Sequence, residues 1–297
     1  MSDKYFTLLN NDFDGVCSLL LQSWLNPSST FFYKAVSNQD AEKEIETILH
    51  NSINPRNIHI LNFPLRESFL QFDKQGIKFI DSHKCSEEFV DSFHYADVEY
   101  EDFTSTCKMI YKKNEDIAAR LLTKHQKMMV LYSDDYSSEY KRHQESIDLG
   151  IMFYINRHDT KQFLEDYKEG YKPIIGQEKK YLNRVKYDVL QKTSNYPVFR
   201  GYISFNGRMI ETVATFGDSI NPIILDIFFR KNPAEFLMFA NLKTNKVRFV
   251  QKYSENLFNV GEFAERYCDG SGNIMSGYGS MNEVLLEMFK NLKPVQQ

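Results

Sequence analysis

Short apolar runs punctuate the first hundred residues at regular intervals: KYFTLL (4–9), STFFYKAV (29–36), NIHILNF (57–63) and GIKFID (76–81). Between them lie stretches with helical spacing, GVCSLLLQSWL (15–25), QDAEKEIETILHNS (39–52) and the shorter RESFLQFDKQ (66–75). Strands alternating with crossover helices predict a parallel sheet in an α/β domain. In such sheets ligands gather at the carboxyl ends of the strands. Asp12 and Asp14 follow the first run, Asn62 the third and Asp81 to Lys84 the fourth, so three strand ends are expected to converge on one crevice.

Residues 103–192 read as mainly helical, with apolar spacing in IAARLL, IDLGIMFYI and YLNRVKYDVL. The dipeptide step into Pro197 breaks that pattern, and the strand-like runs VFRGYISF, EFLMFANL and KVRFVQKY follow. A glycine-rich stretch, CDGSGNIMSGYGS, sits between two helical segments. The expected organisation is a parallel-sheet domain with a helical linker over 1–192 and a smaller α/β domain with a mixed sheet over 196–297.

Composition narrows the function classes. The chain has 297 residues, 42% hydrophobic and 26% charged, with a net charge of −4. That is globular, with no basic field to attract long duplex DNA. No apolar run reaches the length of a membrane span, and MSDKYF lacks a secretory layout. Four cysteines without a CxxC pair read as structural thiols in a reducing, cytoplasmic compartment. The abundance of Phe, Tyr, Asn and Lys fits an AT-rich, phage-like source.

Two carboxylates one residue apart, Asp12 and Asp14, stand where a strand turns into a helix. A helix cap explains them as well as a cation site does. With IDSHK (80–84) downstream, however, the chain resembles the DHH phosphoesterase superfamily, in particular its short-oligonucleotide hydrolases, over nearly its whole length. The family's opening H-x-D-x-D-G corresponds to Asn10-Asn11-Asp12-Phe13-Asp14-Gly15. Its next aspartate corresponds to Asn62, and its D-H-H-K to Asp81-Ser82-His83-Lys84. A further acidic ligand corresponds to Asp134, with Asp135 beside it. The segment 98–111 resembles the stretch that follows DHH. The glycine-rich loop of the C-terminal domain corresponds to Gly270, Gly272 and Asn273.

The resemblance implies a two-metal phosphodiesterase, usually with manganese, in which two cations activate water and steady the charge on phosphorus. Here Asn10, Asn62 and Ser82 replace three expected ligands. Two dications about 4 Å apart repel by on the order of 16 kcal/mol at an effective dielectric of 20, and a neutral amide offsets far less of that than a bridging carboxylate. The expectation is a degenerate site. Asp12, Asp14 and Asp134 would hold one Mn2+ or Mg2+ weakly, or none. Asp81 would support the pocket from behind, and His83 and Lys84 would face phosphate. In KVRFVQK, Lys246, Arg248 and Lys252 share one face of a strand. That is either an ordinary half-exposed strand or, beside the glycine-rich loop, a phosphate-binding strip.

Three functions follow as expectations. The first is a pseudoenzyme that binds a nucleotide, a short single-stranded nucleic acid or a protein partner between its domains. The second is a Mn-dependent phosphodiesterase with a reduced site. The third is an interaction module. A homodimer is a further expected arrangement.

Overall fold

The computed structural model describes residues 3–51, 57–138, 142–156, 159–217, 228, 231–251, 258–272 and 276–295. The chain divides into two compact units, Met1–Ile175 and Gly176–Gln297.

The first unit opens with β1 (Lys4–Asn10), α1 (Phe13–Leu25), β2 (Thr30–Val36), α2 (Ala41–Asn51) and β3 (Ile58–Leu61). A 3-10 turn (Glu67–Phe72), β4 (Ile77–Asp81), a second 3-10 segment (Lys84–Ser92) and β5 (Asp97–Tyr100) complete the sheet. Helices α3 (Thr106–Lys113), α4 (Glu115–Leu121), α5 (Lys124–Ser137), α6 (Gln144–Ile155) and α7 (Thr160–Tyr167) follow. The five strands are all parallel, in the order β2-β1-β3-β4-β5.

Period-two alternation sends neighbouring residues to opposite faces. Leu9, Leu61 and Ile80 pack among α1, α3 and α5, with Val16, Met109, Met129 and Leu149. Leu8, Ile60 and Phe79 pack on the other face with Ile45, Phe69 and Phe93. Both faces are therefore covered, as parallel sheets require. Because every strand runs the same way, β1, β3 and β4 all deliver their carboxyl ends to one edge.

The second unit contains α8 (Gly176–Ser194), β6 (Val198–Phe205), β7 (Arg208–Gly217), β8 (Phe236–Asn241) and β9 (Lys246–Gln251). Then come α9 (Val260–Cys268), β10 (Ser271–Gly272), β11 (Ser276–Ser280), α10 (Glu283–Lys290) and β12 (Lys293–Pro294). The sheet order is β10-β11-β9-β8-β7-β6-β12. Only β7 and β8 pair in parallel, so the sheet is mixed. Asn206 and Gly207, both at positive φ (50° and 78°), turn β6 into β7, the backbone that an Asn-Gly hairpin favours. Phe205, Phe236, Phe249 and Phe263 form the core beneath α9 and α10.

The pattern break at 193–196 marks the end of α8, which groups with the second unit. Strands β5 and β7 are additions to the sequence reading, and the glycine-rich stretch between the last two helices is itself a strand pair, β10 and β11. β5 is short, charged and at the sheet's edge, and β7 is buried on both sides over Thr212–Thr215, so neither shows clean alternation. Among the described residues no helix is long and apolar enough to cross a membrane.

Candidate functional site

Asp12 caps α1. Its Oδ1 accepts the Gly15 N–H at 2.7 Å, and a glycine is required there because a Cβ would lie 2.3 Å from the Asn10 carbonyl oxygen. The Asn10 side-chain amide donates to Asp12 Oδ2 at 2.7 Å. The Asn62 amide donates to Asp12 Oδ1 at 2.9 Å. Asn62 follows β3 with φ at 61°, the left-handed region that Asn tolerates better than most side chains. The β1 and β3 ends are thus joined through one carboxylate.

Asp14, in the first turn of α1, reaches the start of α3. It accepts the Thr106 N–H at 2.8 Å and the Cys107 N–H at 3.2 Å. The Ser133 hydroxyl of α5 donates to it at 3.0 Å. Negative charge at the α3 N-terminus also suits the helix dipole. Burial, reinforced for Asp12 by the neighbouring Asp14, pushes the two carboxyls up to about 7 and about 6 respectively, while the donated hydrogen bonds pull the other way.

Asp81, at the end of β4, holds His83. Its Oδ2 accepts the His83 N–H at 3.0 Å, and its Oδ1 lies 2.6 Å from His83 Nδ1. The Ser86 hydroxyl donates to Asp81 and accepts the Leu65 N–H at 2.8 Å. Burial alone would lower the His83 pKa. Asp81, followed by Asp12 and Asp14, outweighs it and raises the imidazole to about 9. His83 is therefore an imidazolium near neutral pH, with about a third of its side chain exposed. Lys84 beside it is exposed.

Ser82, Thr106 and Asn62 form a buried chain. Thr106 Oγ1 donates to Asn62 Oδ1 at 2.7 Å, and Ser82 Oγ lies 3.0 Å from Thr106 Oγ1. The single hydroxyl proton of Thr106 goes to Asn62, so Ser82 is the donor to Thr106. All three replaced positions, 10, 62 and 82, are consequently linked to Asp12.

Ser133, rather than the adjacent Asp134, reaches Asp14. Met129, Val130 and Ser133 share the buried face of α5, whereas Asp134 pairs with Lys108 at 3.4 Å. Asp135 accepts the N–H groups of Arg142 and His143 at 2.7 and 3.0 Å and so fixes the start of α6. Burial works against the Asp135 carboxylate, but those hydrogen bonds hold its pKa below the ordinary value. Among the described residues no three His, Cys, Asp or Glu side chains are grouped to hold a metal ion. Sequence reasoning missed Thr106, Ser133 and Ser86. The helix-start pattern of Ser105, whose hydroxyl accepts the Lys108 N–H, was the available signal for the first.

The second-unit candidates lie elsewhere in the chain. Arg248 is half-buried on β9 and registers opposite Tyr278 of β11. The alternation read from KVRFVQK is present: Val247 and Phe249 are buried and Lys246 is exposed. Gly270 follows the left-handed cap Asp269, and a Cβ there would lie 1.9 Å from the Tyr278 carbonyl oxygen. That contact alone accounts for the glycine. Gly272 registers opposite Gly277. Asn273 and Lys252 lie outside the described residues.

No protein-family model matches the chain, and no curated protein does. Solved structures do. PggH, a pGpG-specific phosphodiesterase from Vibrio cholerae, superposes with a TM-score of 0.56 at 10% identity, covering 95% of each chain. The DHH domain of a member of the S1p family of ribosomal proteins gives 0.51 at 12% identity, over 97% of this chain and 86% of that one. Exonuclease RecJ bound to manganese gives 0.50 at 8% identity, over 97% and 88%. The fold is that of the DHH phosphoesterases.

RecJ was solved with manganese, and a metal pair at the motif positions set out from the sequence would have to be held by the residues at the ends of β1, β3 and β4. The donor set here does not fit a metal pair. Asn10 and Asn62 turn N–H donors, not lone pairs, toward Asp12, and Asp14 accepts backbone and hydroxyl donors. Hard cations need those oxygens themselves.

Proposed function

We propose that this DHH-fold chain binds a nucleotide or short single-stranded oligonucleotide without hydrolysing it. The observation that supports this most is the pair of amides on Asp12: positions that would carry metal ligands in an active relative donate hydrogen bonds instead. The two-metal route to hydroxide and to charge neutralisation at phosphorus therefore has no matching ligand set at this edge. The likeness to PggH, a pGpG-specific phosphodiesterase, supports a short, phosphate-bearing ligand. The His83 imidazolium and Lys84 supply positive charge for it.

The test incubates the full chain with Mn2+ and a linear dinucleotide such as pGpG, reading both mononucleotide release and thermal shift. The expected result is a raised Tm with the dinucleotide and no product, since a ligand that binds only the folded state stabilises it. Turnover that needs Mn2+ and vanishes in Asp12→Ala would establish an active phosphodiesterase instead. Neither shift nor product would leave an interaction module.

A further inference from the structure

The Ser82–Thr106–Asn62–Asp12 chain has a direction, and the direction decides what the site can hold. Asn62 is 1% exposed, Thr106 0% and Ser82 4%, so their polar atoms depend on one another. A side-chain amide has two ends. With the Thr106 hydroxyl donating to Oδ1, the NH2 end must face Asp12. Turning the amide over would set Asn62 Oδ1 against Asp12 Oδ1 at 2.9 Å, acceptor against acceptor, unless a proton on Asp12 or a cation lay between them. The turned amide would then be a hard oxygen ligand beside Asp12 and Asp14, an arrangement suited to Mn2+ or Mg2+.

We propose that Thr106 is the positioning residue that excludes divalent cations from this centre. It pins the Asn62 amide in its donor orientation, so that hydrogen bonds do the work of holding β1, β3 and α3 together that a metal would otherwise do. Ser82 completes the device by donating to Thr106, leaving the threonine proton for Asn62 alone. Asp14 reinforces it from the backbone side, because it fixes the Thr106 N–H and with it the position of the hydroxyl.

The inference shares with the proposed function the loss of a resident metal, but its readout is stability and not turnover. A chain that cleaves nothing yet is stabilised by Mn2+ overturns this inference and leaves the other standing.

The experiment measures thermal unfolding of the full chain in EDTA and in roughly 1 mM MnCl2, for the wild type, Thr106→Val and Thr106→Ser. The wild type and Thr106→Ser, which keeps the hydroxyl, are expected to unfold at the same temperature in both solutions. Thr106→Val, which keeps the shape and loses the donor, is expected to melt roughly 3–8 °C lower in EDTA and to recover part of that with Mn2+. A wild type stabilised by Mn2+, or a Thr106→Val that does not respond to it, overturns the proposal. Should the valine variant not fold, the wild-type Asn62 side-chain amide resonances decide the matter. Sharp signals in Mn2+ support exclusion, and paramagnetic broadening overturns it.

Discussion

Asp14 Oδ2 accepts the backbone N–H of Thr106 at 2.8 Å across 92 positions of sequence. The same carboxylate takes the Cys107 N–H and the Ser133 hydroxyl, so one side chain of α1 anchors α3 and α5. Asp14→Ala leaves two N–H groups at a helix start and one hydroxyl without their acceptor. It is expected to cost about 2–4 kcal/mol, read as a lower urea midpoint with an unchanged m-value.

Gly15→Ala tests the other side of the same turn. The new Cβ would lie 2.3 Å from the backbone carbonyl of Asn10, which cannot swing aside as a side chain could. A loss of about 1–3 kcal/mol is expected, together with displacement of Asp12, whose Oδ1 accepts the Gly15 N–H. Chemical denaturation reads the first, and the Asn62 amide shifts read the second.

Alkaline pH should weaken the fold through His83. Its pKa is raised from 6.5 to about 9, so its contribution is complete below 6.5 and fades as pH climbs through 9. Asp12 and Asp14, raised from 3.8 to about 7 and about 6, act in the same sense at lower pH: their contribution is complete below 3.8 and lost as pH rises through 6 to 7. A Tm series in constant ionic strength should therefore decline between pH 6.5 and 9. His83→Gln should flatten the part of that decline above pH 7 and, because the imidazolium also holds the Asp12 and Asp14 pKa values down, should carry their loss to higher pH.

Restoring the three replaced ligands gives a direct test of the site's degeneracy. The combined change Asn10→His, Asn62→Asp, Ser82→His supplies a carboxylate and two imidazoles where amides and a hydroxyl now stand. Manganese titration by calorimetry should show affinity raised at least tenfold over the wild type, equivalent to about 1.4 kcal/mol. Unchanged binding would mean that these three positions are not the metal-ligand positions of the fold.

Much of this architecture could be read from the chain before any coordinates. KYFTLL, STFFYKAV and GIKFID are the short apolar runs expected of a parallel sheet covered on both faces, and the convergence of Asp12, Asn62 and Asp81 follows from parallel strands ending together. Thr106 and Ser133 were harder to read. Each contributes one polar group to a partner far along the chain; the Ser105 cap marks a helix start beside Thr106, but nothing local distinguishes the Ser133 hydroxyl from that of an ordinary helix residue. The sequence reading offers Asp134 and Asp135; that Ser133 faces Asp14 instead is a matter of 100° of helical rotation, which apolar spacing resolves only when the buried face, Met129, Val130 and Ser133, is identified first. Strand β5 escaped because charged edge strands carry little alternation.

The sheet order β2-β1-β3-β4-β5 places the first strand inside the sheet, flanked by a segment that follows it and by another beginning at Ile58. During synthesis the acids at its end must therefore wait. Asp12 meets Asn62 only after β3 has emerged, and Asp14 meets Ser133 only after α5 has, 119 positions later. At about 5–20 residues synthesised per second that interval is on the order of 6–24 s. Over that time Asp12 and Asp14 stay hydrated, and the donors that hold them in the folded chain arrive one element at a time.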